Sequence, residues 1–372
     1  MNSLYPEIEP YDHGMLAVGD GNEIHWEACG NPRGIPALVL HGGPGSGSSA
    51  NARRFFDPER YRIILFDQRG CGRSIPHASD PQTDMSVNTT EHVLRDIECL
   101  RTHLDIGHWL LFGMSWGCTL GLAYAEAYPE RVLALVLAGV TTTRRSEIDW
   151  LYRGIAPLFP EQWAHFRRGA ELDNARHVSG AWFDKLTMRG LSALQKQDLP
   201  HGELVEPRTQ SMQQDLAKNT DDDLVAAYYR LLNDVDPAIR LQAARDWHAW
   251  ESASILVDPA AKLSPKWSDD RYILARARII THYFYHNAWL EDRILLNQAS
   301  LLKGIPGIMI QGRFDLEAPL VTAWELSKAW PDGTLVIVPN AGHSPTSPGM
   351  TDAIIAATDR FAREPSNGAV GI

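Results

Sequence analysis

The chain has 372 residues, 44% of them hydrophobic, and a formal net charge of −11. That is enough apolar material for one elaborated domain or two, and the negative balance excludes nucleic acid or an anionic membrane as the main partner. The four cysteines, Cys29, Cys71, Cys99 and Cys118, are scattered with no Cys-x-x-Cys pair, which points away from a zinc site or a disulfide framework and towards a reduced cytoplasm.

The first ten residues have neither a basic nor an apolar stretch, so no signal peptide is expected. Residues 12–30 alternate weakly around Gly19-Asp20-Gly21-Asn22, which predicts a hairpin. Pro36–Leu40 is an apolar run suited to a strand buried on both faces. It feeds His41-Gly42-Gly43-Pro44-Gly45-Ser46-Gly47, where so many glycines suit a loop whose backbone N–H groups approach a ligand. Tyr61–Phe66 is the next buried strand and runs into Asp67-Gln68-Arg69-Gly70-Cys71-Gly72-Arg73-Ser74. Asp67 and Arg69 read as an ion pair bracing that turn. A helix is expected from about Thr90 to Leu104, with Val93, Leu94, Ile97, Leu100 and Leu104 on one face and Asn88 or Thr89 as its cap.

The stretch from Leu110 to Leu120 carries the chemistry. An apolar strand ends at Gly113, Ser115 follows, then Gly117, then helix formers as far as Tyr128. A serine at the tip of a strained strand-to-helix turn needs unusual backbone angles, and its neighbours at minus two and plus two must lack side chains so that strand and helix can approach. The turn exposes the hydroxyl and aims the free N–H groups of the helix at any anion formed there. Val132–Val140 is one more strand and the longest apolar run, far too short to span a bilayer. Apolar strands alternating with helices predict a parallel, doubly wound α/β sheet.

From about 142 to 295 the alternation stops. The segment reads as helical and amphipathic, with Trp150, Trp163, Trp182, Trp247, Trp250, Trp267 and Trp289 mostly in its core and a minority lining a cleft. Gln195–Thr220 reads as a polar excursion. The sheet then resumes: Gly307–Ile310 leads to Gln311-Gly312-Arg313-Phe314-Asp315, a helix covers Leu320–Trp330, and Thr334–Val338 leads to Pro339-Asn340-Ala341-Gly342-His343-Ser344. A last helix spans about Thr351–Phe361, and 365–372 reads as a frayed end. The expected organisation is a core of residues 1–141 and 296–372 with an inserted helical lid at 142–295.

A serine hydroxyl at neutral pH is a poor nucleophile; it needs a base, and the base needs an acid partner. In this architecture the partners follow in the order serine, acid, histidine, each on a loop at the carboxyl end of a strand. After the helical segment one histidine remains, His343, just past a strand. Asp315 sits just past the preceding strand, with Glu317 as the rival acid. His41 is the runner-up base, although it precedes the serine. The oxyanion donors are expected to be the backbone N–H of Trp116 and one from the glycine loop, Gly43.

Together, the His41–Gly45 loop, the Asp67–Ser74 block, Gly113-Met114-Ser115-Trp116-Gly117, Gly312-Arg313-Phe314-Asp315 and Gly342-His343-Ser344 resemble the proline iminopeptidase (prolyl aminopeptidase) family of α/β-hydrolases, from about Tyr5 to Ala362. Trp247-x-x-Trp250-Glu251 belongs to the same likeness. The resemblance implies release of an N-terminal proline from small peptides or aminoacyl compounds with a free N-terminus, and no metal or cofactor. It also implies that Glu251 binds the substrate's amino group and that Phe284 packs on the proline ring. A carboxylate is the right partner for a buried ammonium, because desolvating that cation alone is prohibitive.

Three features depart from the family pattern. Ile280 stands where a second amine-binding glutamate is expected, Ala138 stands where an arginine is expected, and the lid is longer around 183–217. Charge that would grip the amine is therefore thinner, which keeps open a related amide or ester hydrolase of different specificity. A catalytically idle ligand receptor is the reading from another class. Epoxide hydrolases and dehalogenases need a carboxylate where Ser115 stands.

Overall fold

The computed structural model describes residues 4–171, 223–255, 257 and 263–363. The excursion Gln195–Thr220, the longer stretch 183–217, Trp182 and the tail 365–372 lie outside the described residues. Among those described, one eight-stranded sheet runs β1(Asp12–Gly19), β2(Asn22–Gly30), β4(Tyr61–Phe66), β3(Ile35–Leu40), β5(Trp109–Met114), β6(Val132–Ala138), β7(Gly307–Gly312), β8(Gly333–Val338) in spatial order. The β1–β2 hairpin and the β2–β4 pair are antiparallel, and every later pair is parallel.

The period-two geometry of a strand sends alternate side chains to opposite faces, and both faces are covered here. Leu38, Leu40, Ile64, Phe66, Leu111 and Leu135 join one core with α1(Thr90–His103) and α2(Trp116–Ala127). Ala37, Val39, Ile63, Leu65, Leu110 and Phe112 join another against α7(Met350–Arg363). Helix α1 begins where the sequence places it, at Thr89, whose side chain accepts from the His92 N–H.

The described part of the segment between β6 and β7 is built of helices joined by loops and contains no strand. Its helices include α3(Leu224–Leu231), α4(Pro237–Ile255) and α5(Asp270–Tyr285). Trp247 and Trp250 are fully buried in it: Trp250 stacks on Phe166, and Trp247 packs against Tyr152 and, edge-on, Tyr228. Trp267 faces the central cavity, and Trp150 and Trp289 are partly exposed. Helix α6(Leu320–Ala329) connects β7 to β8.

The loops after the parallel strands share one edge of the sheet, and their bracing differs from the sequence expectation. Asp67 and Arg69 do not pair with each other. Asp67 accepts from the Ser48 N–H and pairs with Arg73 at 2.9 Å. Arg69 reaches the other way, to Asp96 on α1 at 2.7 Å and Asp20 at 3.1 Å. Both residues are structural, as expected, but they tie the loop to two different neighbours, because Arg69 is long enough to reach the adjacent helix.

Candidate active site

Strand β5 delivers Ser115 at φ 55°, ψ −125°, on the turn into α2. Few residues other than glycine adopt that region without a reason. The flanking glycines are required by contact. A Cβ on Gly113 would lie 2.4 Å from the Gly117 carbonyl oxygen, and one on Gly117 would lie 2.1 Å from that of Leu40. The Ser115 N–H is held by the Ala138 carbonyl at 3.0 Å, so Ala138, where the resemblance leads one to expect an arginine, is a fully buried strut of the turn.

Asp315 and His343 meet from the loops after β7 and β8. His343 Nδ1 donates to Asp315, 2.8 Å from Oδ2 and 3.0 Å from Oδ1. Asp315 is fixed in turn: Oδ1 accepts from the N–H groups of Glu317 and Ala318, and Oδ2 accepts from Gln311 Nε2 at 2.9 Å. Gln311 Oε1 accepts from the Val140 N–H, linking this acid to the loop after β6. His343 rests against Gly139, where a Cβ would come within 2.9 Å of Cε1.

Glu317, the rival acid, does not take the Nδ1 side. Its Oε2 lies 3.6 Å from His343 Nε2 and its Oε1 accepts from Ser254 Oγ at 3.3 Å. Burial works against the imidazolium, but Asp315 and Glu317 outweigh it and push the His343 pKa up to about 9. Burial also raises the pKa of Glu317.

His41 is spoken for. Its Nδ1 donates to the Gly42 carbonyl, its Nε2 accepts from the Gln68 N–H, and burial lowers its pKa. The Gln68 side chain donates to the His41 carbonyl and accepts from Trp116 Nε1 at 3.0 Å. One residue thus locks the glycine loop onto the first turn of α2. The N–H groups of that first turn lack partners inside the helix, and Gly43 and Trp116 line the same cavity as Ser115 and His343.

That cavity measures about 720 Å³ and is roofed by the helices between β6 and β7. Glu251 and Phe284 line it. The Glu251 carboxylate is buried and already engaged: Oε1 accepts from Tyr152 OH and Trp247 Nε1, both at 3.0 Å, and Oε2 is bonded by Arg276 Nη1. Arg276 stacks on Trp267 at 5.1 Å and pulls the Glu251 pKa down against burial. Ile280, one turn beyond Arg276, is fully buried. Sequence reasoning missed Arg276, Tyr152 and Gln311, whose side chains reach the site only through tertiary packing. Arg276 alone left a trace, an arginine one turn before Ile280 on α5.

A serine on a positive-φ turn above a doubly wound sheet defines an α/β-hydrolase, and a family model described as alpha/beta hydrolase fold matches residues 36–346. A Streptomyces coelicolor protein named "Probable proline iminopeptidase" is 46% identical over 97% of this chain and 98% of its own. "Proline iminopeptidase" of Xylella fastidiosa is 39% identical over 97% and 100%, and that of Arabidopsis thaliana 39% over 96% and 82%. The crystal structure of a Mycobacterium smegmatis proline iminopeptidase superposes with a TM-score of 0.55 at 18% identity, covering 95% of this chain and 98% of that one, a likeness of fold. The chain belongs to the proline iminopeptidase family of α/β-hydrolases. Among the described residues no helix is long and apolar enough to cross a membrane.

Proposed function

We propose that this chain is a serine exopeptidase that removes an N-terminal residue, proline preferred, from small peptides. Ser115 Oγ attacks the scissile carbonyl carbon while His343 takes the hydroxyl proton. The oxyanion is met by the N–H groups of Trp116 and Gly43, worth roughly 100–1000-fold in rate per donor. His343 returns the proton to the leaving amine as the carbonyl–nitrogen bond breaks, leaving an acyl-enzyme that water hydrolyses by the same route. Asp315 holds the imidazole tautomer, Glu251 sits on the amino side of the pocket, and Phe284 offers an aromatic wall to the ring. The described helices between β6 and β7 serve as a lid. The observation that carries the reading is the His343–Asp315 pair facing the same cavity as a serine held at φ 55°. All four cysteines are free thiols, which suits a cytoplasmic home.

Arg276 beside Glu251 favours a second reading, a related amide or ester hydrolase with no demand for a free amine. One kinetic panel separates the two. Prolyl and N-acetylprolyl arylamides are compared on wild-type enzyme and on Ser115→Ala. The first reading expects hydrolysis of the free amine only, falling by roughly 10⁶-fold in kcat in Ser115→Ala. Equal turnover of the acetylated substrate supports the second reading, and unchanged activity in the alanine variant removes both.

A further inference from the structure

Among the described residues, three carboxylates line the cavity: Glu147, Glu251 and Glu317. The first two are consumed by the protein. Glu147 accepts from Thr141, Thr142 and Thr322 and pairs with Arg144. Glu251 carries Arg276, Tyr152 and Trp247. Among the described residues, Glu317 has one neutral donor, Ser254, and one ion-pair partner, His343. The single Ser254 hydroxyl hydrogen is shared between Glu317 Oε1 at 3.3 Å and the Glu251 carbonyl at 3.0 Å, which sets the two glutamates on adjoining walls.

An exopeptidase that selects a free N-terminus has a tight geometric constraint. The α-amino nitrogen is about 2.5 Å from the carbonyl carbon under attack, two bonds away. Its anchor must lie within one side-chain length of the serine–imidazole pair. Glu317 satisfies this, being in the same loop as Asp315 with Oε2 3.6 Å from the Nε2 side of His343. We propose that Glu317 is the specificity-determining carboxylate of this site: it takes the substrate's N-terminal ammonium as its counter-ion in place of the His343 imidazolium, beside a Glu251 already neutralised by Arg276. The assignment rests on the exopeptidase reading above.

The charge balance gives the device its logic. In the free enzyme two carboxylates, Asp315 and Glu317, face one imidazolium, with Glu251 and Arg276 further out and opposite in sign. His343 can accept the serine proton only when it is neutral. An ammonium arriving at Glu317 supplies the positive charge that His343 must give up, whereas an N-acylated substrate supplies none. Selection for a free amine then acts on the chemical step as well as on binding.

The test uses full-length wild type, Glu317→Gln and Glu317→Ala, with rates normalised to sites titrated by a fluorophosphonate so that only folded, reactive enzyme is counted. The readout is the ratio of kcat/KM for free prolyl arylamide over its N-acetylated analogue. We expect both variants to lower that ratio by about 30-fold, the scale of a lost charge-assisted hydrogen bond. We also expect the acid limb of 4-nitrophenyl acetate hydrolysis to move to lower pH in Glu317→Gln, since His343 then faces one carboxylate instead of two. A ratio within twofold of wild type, or an unmoved acid limb, overturns the assignment while leaving the exopeptidase reading intact. A wild-type enzyme that does not distinguish the two substrates overturns both.

Discussion

Gly139 sets how near His343 can come to the sheet. Its φ of +60° is one that few side-chain-bearing residues adopt, and its Cα faces the imidazole edge. An added Cβ would crowd Cε1 at 2.9 Å and Nδ1 at 3.1 Å, so the ring rather than the backbone must move. Because the Nδ1 bonds to Asp315 fix the ring, a displacement of even part of an ångström is felt at Nε2. Gly139→Ala is expected to lower kcat by up to about 100-fold with little change in KM, measured by steady-state kinetics; wild-type kcat would mean the imidazole has slack. At this scale the placement of Ser115, Asp315 and His343 was legible in the sequence, because each follows a recognisable apolar strand. It was silent about Gln311, which looks like an ordinary strand end until the fold brings it between Asp315 and the Val140 N–H. Glu317 was visible as a rival acid, but only packing shows it on the opposite edge of the imidazole.

The unit of β5, turn and α2 is where an element depends on what its residues lack. The Leu40 carbonyl of β3 lies where a side chain on Gly117 would go, at 2.1 Å, so strand and helix touch through bare backbone. Backbone cannot yield as a flexible side chain can. Gly117→Ala is therefore expected to destabilise the fold by about 1–3 kcal/mol, read as a lower urea midpoint with an unchanged slope. An unshifted midpoint would show that α2 can tilt away freely. The strands and helices flanking this unit were legible to within a few residues, since strands buried on both faces read as continuous apolar runs and α1 announces itself by a threonine cap. The pairing of Asp67 with Arg69 was misread because sequence proximity is a poor guide for a side chain that spans several ångströms. Arg73 and Asp96 were equally available in three dimensions.

Across the whole molecule, two cores flank one sheet, and the loops at its carboxyl edge concentrate charge that the cores cannot accommodate. The result is a cluster whose stability contribution depends on pH. His343, near 6.5 when unfolded, is pushed up to about 9 in the fold: burial opposes the charge, and Asp315 and Glu317 more than restore it. A group whose pKa rises on folding binds its proton more tightly in the native state. Its contribution is therefore fully present below about pH 6.5 and is lost as pH climbs through about 9. Carboxylates held low by partners, such as Asp67 with the Ser48 N–H and Arg73 outweighing burial, and Glu251 with Arg276 doing the same, behave oppositely and lose their contribution only in acid. The two signs separate in a direct comparison of wild type with His343→Gln by urea unfolding from pH 6 to 10. Wild type should lead at pH 6, and the gap should close as pH passes about 9. A gap that stays constant over that range would mean that the imidazolium is not the charge that holds these loops together.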